Sequence, residues 1–126
     1  LGVVEWCGAT PVIVDIADDY LLDATAAAAA ITDRTRAMVL PYVLGFYRSP
    51  ASLQALGLPL IEDCAPLLPA STTAFPLHGQ LVTYSFEATK WIAGGEGGLV
   101  LSRDDALAAR LVAAKRCRQA DYKLNL

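Results

Sequence analysis

The sequence predicts an α/β domain built on a mostly parallel sheet with crossover helices. Three observations lead there. Short apolar runs alternate with helix-forming runs along the chain, the order that a parallel sheet with helical crossovers produces. Several of those runs carry a hydrophobic residue at nearly every position, as strands covered on both faces do. Asp63 and Ser85 stand near the ends of two of them. In open α/β sheets chemistry gathers there, just past the carboxyl ends of the strands.

The elements follow in order. "TPVIVDI" (10–16) reads as the first strand, apolar almost throughout. "DATAAAAAI" (23–31) reads as a helix, with Asp23 at the N-cap and alanines of top helix propensity behind it. "RAMVLPYVL" (36–44) is the next strand, with Pro41 in its second half. "SPASLQAL" (49–56) places Ser49 at an N-cap and Pro50 in the first turn, and Gly57 closes it. "LPLIEDC" (58–64) is an apolar strand with two acids near its end. The stretch 65–80 has three prolines and little period, so it reads as a loop. "LVTYSF" (81–86) and "GGLVLS" (97–102) are strands on either side of a glycine-rich bend. "RDDALAARLVAAKRCRQA" (103–120) closes with a helix, acids first and bases last, matching the macrodipole. Leu107, Leu111 and Ala114 share one of its faces.

Composition narrows the function. The chain has 126 residues, 55% hydrophobic and 18% charged, with a net charge of −3. That is one domain's length, with enough apolar side chain for a core and a surplus suited to covering by another segment or chain. Basic residues are sparse outside "AAKRCR" (113–118), so nucleic acid is not an expected partner. Cys7, Cys64 and Cys117 are far apart, no C-x-x-C occurs, and His78 is the single histidine; a structural zinc site is not expected. Free thiols suit a reducing, cytoplasmic setting. No apolar run reaches the roughly 18 to 20 residues that a membrane helix needs, and no signal peptide is visible.

The stretch "YSFEATKWIAGGEGG" (84–98) sets Lys90 five residues after Ser85 and just before the glycines. Taken singly, each residue has a bland reading. Asp63 reads as a cap or ion-pair partner, Ser85 as a strand-end hydroxyl and Lys90 as a solvated lysine. Taken together they suggest a site. A carboxylate can hold a positive nitrogen, and a hydroxyl can donate to phosphate. A lysine can form a Schiff base when its surroundings favour the neutral amine. Glycines admit close backbone approach or positive φ. If the strand is regular, Glu62 points to the face opposite Asp63 and is structural. Cys64 reads as a buried small hydrophobe and Tyr84 as packing the face opposite Ser85. His78 reads as a surface or core-edge residue, and Trp91 either walls the site or packs the sheet edge.

These segments resemble the DegT/DnrJ/StrS family of sugar aminotransferases of fold type I, which use pyridoxal phosphate (PLP). "GATPVIVDI" is similar to that family's entry into its sheet, and "ITDRTRAMVLP" to its I-T-x-x-T-[KR]-A lead-in. "LPLIEDCA" and "YSFEATKWIAGGEGGLVLS" are similar to its I-E-D-x-A segment and S-F-x-x-x-K…G-E-G-G signature. The resemblance implies that Lys90 holds PLP covalently and then acts as general acid and base. It further implies that Asp63 pairs with the pyridinium nitrogen and Ser85 binds the cofactor phosphate. Asn125, in "DYKLNL", would reach the phosphate of a neighbouring subunit, implying a homodimer. The implied reaction moves an amino group from a donor such as glutamate to a keto sugar nucleotide.

Pro66 departs from the family, which has Gln or His there, and "GFYRSPAS" (45–52) lacks an aspartate the family often carries. The family's phosphate loop, ring-stacking aromatic residue and small C-terminal domain have no counterpart in the sequence. The expectation is therefore one α/β domain over 1–126, an incomplete PLP-binding large domain with impaired turnover. The alternatives are a non-catalytic remnant acting in binding or assembly, and a PLP enzyme of the same family with another reaction. The family's dehydratases replace the lysine with histidine, and Lys90 argues against them.

Overall fold

The computed structural model describes residues 2–67 and 78–115. Its centre is a four-stranded sheet in the order β1 (Met38–Pro41), β2 (Leu60–Asp63), β3 (Leu81–Ser85), β4 (Gly98–Leu101). β1 pairs with β2 and β2 with β3 in parallel, whereas β4 runs antiparallel to β3. The expected mostly parallel sheet is present, and its last pair is a hairpin closed by the glycine-rich loop. Among the described residues no helix is long and apolar enough to cross a membrane.

Among the described residues there are four α-helices, α1 (Gly2–Trp6), α2 (Ala24–Ala30), α3 (Ala51–Gln54) and α4 (Asp105–Lys115), of which α2 and α3 contribute residues to the buried core. α2 begins as expected, with the Asp23 carboxylate accepting the Ala26 N–H at 2.7 Å. α3 is shorter than expected and is capped differently. Pro50, not Ser49, holds the cap position and makes no side-chain cap bond. Gly57 follows at φ +74, where a side chain would strain the backbone. Asp104 caps α4 by accepting the Leu107 N–H at 3.0 Å. None of the α4 side chains is fully buried: on the face shared by Leu107, Leu111 and Ala114, the two leucines are half-buried and the alanine is exposed.

The strand expected over 10–16 does not form. Ile16 makes one isolated antiparallel bridge with Leu22, and Val12 and Ile13 are 67% and 72% exposed. An apolar run becomes a strand only where a neighbour supplies the ladder, and here no described strand lies alongside it. Its neighbourhood is held by other means. Arg48 pairs with Asp19 at 3.2 Å and donates to the Leu22 carbonyl at 3.0 Å, while Tyr20 and Phe46 stack 6.1 Å apart. The short helix α1, not expected from the sequence, lies N-terminal to this run.

Register sets the two faces of the sheet. Met38 and Leu40 pair with Leu60 and Glu62, and Glu62 pairs with Val82. These five are buried, and together with Ala27 of α2 and Leu53 of α3 they make the inner face. Val39, Pro41, Ile61, Asp63, Leu81, Thr83 and Ser85 occupy the alternate positions and are half-buried or exposed. Tyr42 and Cys64 extend the inner face past the strand ends, and Tyr84 packs against it, as its alternation from Ser85 leads one to expect. Burying the apolar members contributes on the order of 1.5–3 kcal/mol per large side chain.

Among the described residues one charged residue is buried in this core: Glu62, 2% exposed. Its Oε1 accepts the His78 and Gly79 N–H groups at 2.9 and 2.5 Å, and its Oε2 accepts the Tyr42 hydroxyl at 2.5 Å. The expectation that Glu62 is structural and faces away from Asp63 holds.

Two predictions follow from this packing. A Cβ at Gly79 would stand 2.5 Å from the Leu60 carbonyl oxygen and 3.0 Å from that of Leu81, both of them backbone atoms. Gly79→Ala is therefore expected to cost about 1–3 kcal/mol, read as a lowered urea midpoint. The second concerns alkaline pH. Burial first, then the Glu62 charge, pushes the Cys64 thiol up from 9.0 to about 12. Burial likewise raises the Tyr42 and Tyr84 phenols. Above pH 9 the unfolded chain releases the thiol proton and the folded chain keeps it. Stability is thus fully present below pH 9 and falls as pH rises towards 12. Denaturation midpoints across that window test the sign.

Candidate functional site

The carboxyl ends of β2 and β3 bring together two of the residues singled out by sequence. Asp63 ends β2 and Ser85 ends β3. Asp63 is paired across the ladder with Thr83, two residues before Ser85. Strand alternation therefore sets Asp63, Thr83 and Ser85 on one face, the face away from the core.

Among the described residues, Asp63 is fastened through one carboxylate oxygen. Its Oδ1 accepts the Ala65 N–H at 3.0 Å and lies 3.5 Å from the Thr83 hydroxyl, which also approaches the Glu62 carbonyl at 3.4 Å. Its Oδ2 has no partner among the described residues. A half-buried carboxylate with one oxygen anchored and the other open suits a cationic N–H, since partial burial strengthens the attraction. Thr83 was not anticipated. Its signal is positional, a hydroxyl two residues before Ser85, and only the β2–β3 register shows that it neighbours Asp63.

Ser85 begins the turn that carries Lys90. Its Oγ accepts the Glu87 N–H at 3.3 Å, which leaves the hydroxyl proton to donate elsewhere. The Lys90 N–H donates to the Glu87 carbonyl at 2.9 Å, closing a tight turn. Within that turn the Glu87 carboxylate accepts the Thr89 N–H at 3.1 Å and the Thr89 hydroxyl. Those bonds, more than the Lys90 charge, hold the Glu87 carboxyl below the usual glutamate range. Lys90 is half-buried, and its amine makes no direct ion pair with the described residues.

The glycines turn the chain back. Phe86 is clasped by the loop's return: its N–H donates to the Gly97 carbonyl at 2.9 Å, and its carbonyl accepts the Gly94 N–H at 2.7 Å. Gly95 and Gly97 stand at φ +82 and +137, and a Cβ on Gly98 would meet the Tyr84 carbonyl oxygen at 2.8 Å. The structure shows the positive-φ turn at Gly95 and Gly97 and a close approach of backbone to backbone at Gly98. Trp91, beside Lys90, is 70% exposed. Pro66 follows β2 in a turn, and its carbonyl oxygen would meet a Cβ on Gly45 at 3.1 Å, so the loops after β1 and β2 touch. His78 is half-buried, its Nε2 3.1 Å from the Tyr47 hydroxyl. Asn125, Cys117 and the rest of 116–126 lie outside the described residues.

Comparison with known proteins places this arrangement in a family. The L-glutamine:scyllo-inosose aminotransferase of Streptomyces griseus is 40% identical over 112 residues, covering 81% of this chain and 26% of that protein. The L-glutamine:2-deoxy-scyllo-inosose aminotransferase of Streptomyces paromomycinus is 37% identical over 111 residues, covering 82% of this chain and 26% of that one. Among solved structures, DesI crystallised in the presence of its TDP-sugar product superposes with a TM-score of 0.79 at 36% identity. That match covers 89% of this chain and 30% of DesI. The chain therefore spans about a quarter of the length of these curated relatives. The model of the DegT/DnrJ/EryC1/StrS aminotransferase family matches residues 1–123, and the chain belongs to that family.

Proposed function

We propose that this chain is the cofactor-holding part of a PLP-dependent sugar aminotransferase. The observation that carries the reading is the shared open face of Asp63, Thr83 and Ser85, with Lys90 in the loop that leaves it. The donor set suits the cofactor. Among the described residues, Asp63 offers an unpartnered carboxylate oxygen for the pyridinium N–H, Ser85 a hydroxyl proton for phosphate, and Lys90 an amine without a direct ion-pair partner for the aldehyde. PLP, when bound, supplies the electron sink that lets an amino group be transferred.

The chain's own residues then have separable tasks. Asp63 keeps the ring nitrogen protonated by charge and hydrogen bonding, with Ala65 and Thr83 holding its other oxygen in place. Ser85 anchors the phosphate end. The Lys90 amine would hold the aldehyde end of the cofactor and, as a lysine amine beside the reacting centre, would serve as general acid and base. We further propose a donor such as glutamate, or glutamine as the names of the two Streptomyces relatives specify. The acceptor is a keto group on a sugar nucleotide or a related cyclic polyol. A cytoplasmic homodimer, with Asn125 reaching the neighbouring site, completes the proposal. A non-catalytic remnant of the fold is the competing reading, favoured by Pro66 at a position where the family uses a hydrogen-bonding side chain.

The test is borohydride reduction after incubation with PLP, followed by peptide mapping. A pyridoxyl adduct confined to Lys90, and lost in Asp63→Ala, is the expected result. Label spread over Lys115 or Lys123, or no label, would sink the reading. Ser85→Ala is expected to weaken PLP binding on the order of tenfold, the scale of one hydrogen bond to a charged group, in an absorbance titration.

A further inference from the structure

Glu62 takes no part in that chemistry, yet it is a carboxylate among apolar side chains with no described cation beside it. An apolar residue of similar volume would pack the same space without the cost of burying a charge. What the carboxylate adds is three directed hydrogen bonds to two separate stretches of chain. Its Oε2 holds the Tyr42 hydroxyl just past β1, and its Oε1 holds the His78 and Gly79 amides just before β3. Tyr42 is gripped at both ends, because its own N–H donates to the Asp63 carbonyl at 3.0 Å. The same two stretches are tied once more from outside. The Tyr47 ring packs 5.3 Å from that of Tyr42, and its hydroxyl meets His78 Nε2 at 3.1 Å. Burial, with the Glu62 bond next, raises the Tyr42 phenol above the ordinary tyrosine range, so Tyr42 remains the donor.

We infer that Glu62 is a positioning residue, one that locks β1, β2 and β3 from beneath so that the adjacent Asp63 presents its carboxylate at one fixed orientation above. The link is the pleat. With the exit of β1 and the entry of β3 pinned to residue 62, Thr83 stays opposite Asp63 and the Ala65 amide stays within reach of Oδ1. The value of that orientation to catalysis rests on the PLP reading of Asp63, while the lock itself does not.

The experiment separates the two. In the unliganded chain, hydrogen exchange of the Ala65 amide, bonded to Asp63 Oδ1, is compared with that of the Met38 amide. The Met38 amide is bonded to the Pro59 carbonyl at the other end of the sheet. Glu62→Met fills the space but accepts nothing from the three donors. It is expected to speed Ala65 exchange about tenfold relative to Met38. Glu62→Gln, whose amide oxygen can accept both N–H groups while its NH2 faces the Tyr42 oxygen, is expected to restore the wild-type ratio within about twofold. Equal acceleration at both amides in Glu62→Met, or no rescue by Glu62→Gln, overturns the inference. Should Glu62→Met fail to fold, Tyr42→Phe removes one donor at nearly constant volume, and about threefold selective acceleration at Ala65 is expected. No selective change there overturns the inference. Borohydride labelling is run on the same proteins. Loss of Lys90 selectivity already in the wild type, with the Ala65 result intact, refutes the PLP reading alone.

Discussion

Two neighbouring carboxylates in one strand face opposite ways, and the rest of the site depends on that alternation. Glu62 turns into the core and Asp63 turns out of it because side chains in a strand alternate with period two. A slip of one residue in β2 would exchange them, exposing the charge that three donors satisfy and burying the one left open. Register is therefore strongly specified here, in the way that hydrophobic patterning specifies it elsewhere. The inner face would tolerate such a slip least, since Leu60 and Val82, beside Glu62, are almost fully buried.

Much of this fold was legible in the sequence. The helix at 24–30 announced itself through Asp23 and the alanine run, and Gly57 marked the end of the next helix. All four strands of the sheet lie inside runs read as strands, three of them trimmed at both ends and β3 at its carboxyl end alone. The failure at 10–16 is instructive. "TPVIVDI" looks like a buried strand because its composition is that of one, but composition does not supply a ladder partner, and Val12 and Ile13 stay exposed. The antiparallel direction of β4 was equally invisible. Direction depends on how the loop of 86–97 folds back, which positive-φ glycines permit but do not dictate.

The site divided along the same line. Asp63, Ser85 and Lys90 could be found because the chemistry of each follows from residue type and place along a strand or loop. Thr83 could not, because its proximity to Asp63 arises from pairing between strands twenty positions apart. The partners of Glu62 were hidden for the same reason, two of them being backbone amides with no signature of their own. Sequence periodicity assigned Glu62 to the correct face, and the fold alone disclosed what it grips.

The hairpin that carries Lys90 has a kinetic consequence. β3 and β4 are joined directly by the loop of 86–97, so their pairing closes over a somewhat shorter stretch of chain than either parallel pair. β1, β2 and β3 pair in parallel, which requires crossover segments and slower, longer-range closure. The lysine and the serine thus sit within one continuous hairpin, while Asp63 reaches its place opposite Thr83 only when the β2–β3 ladder closes. The candidate site is completed by the β2–β3 pairing and not by the hairpin alone, so forms of the chain in which only the hairpin has paired display the Lys90 loop without the carboxylate in position.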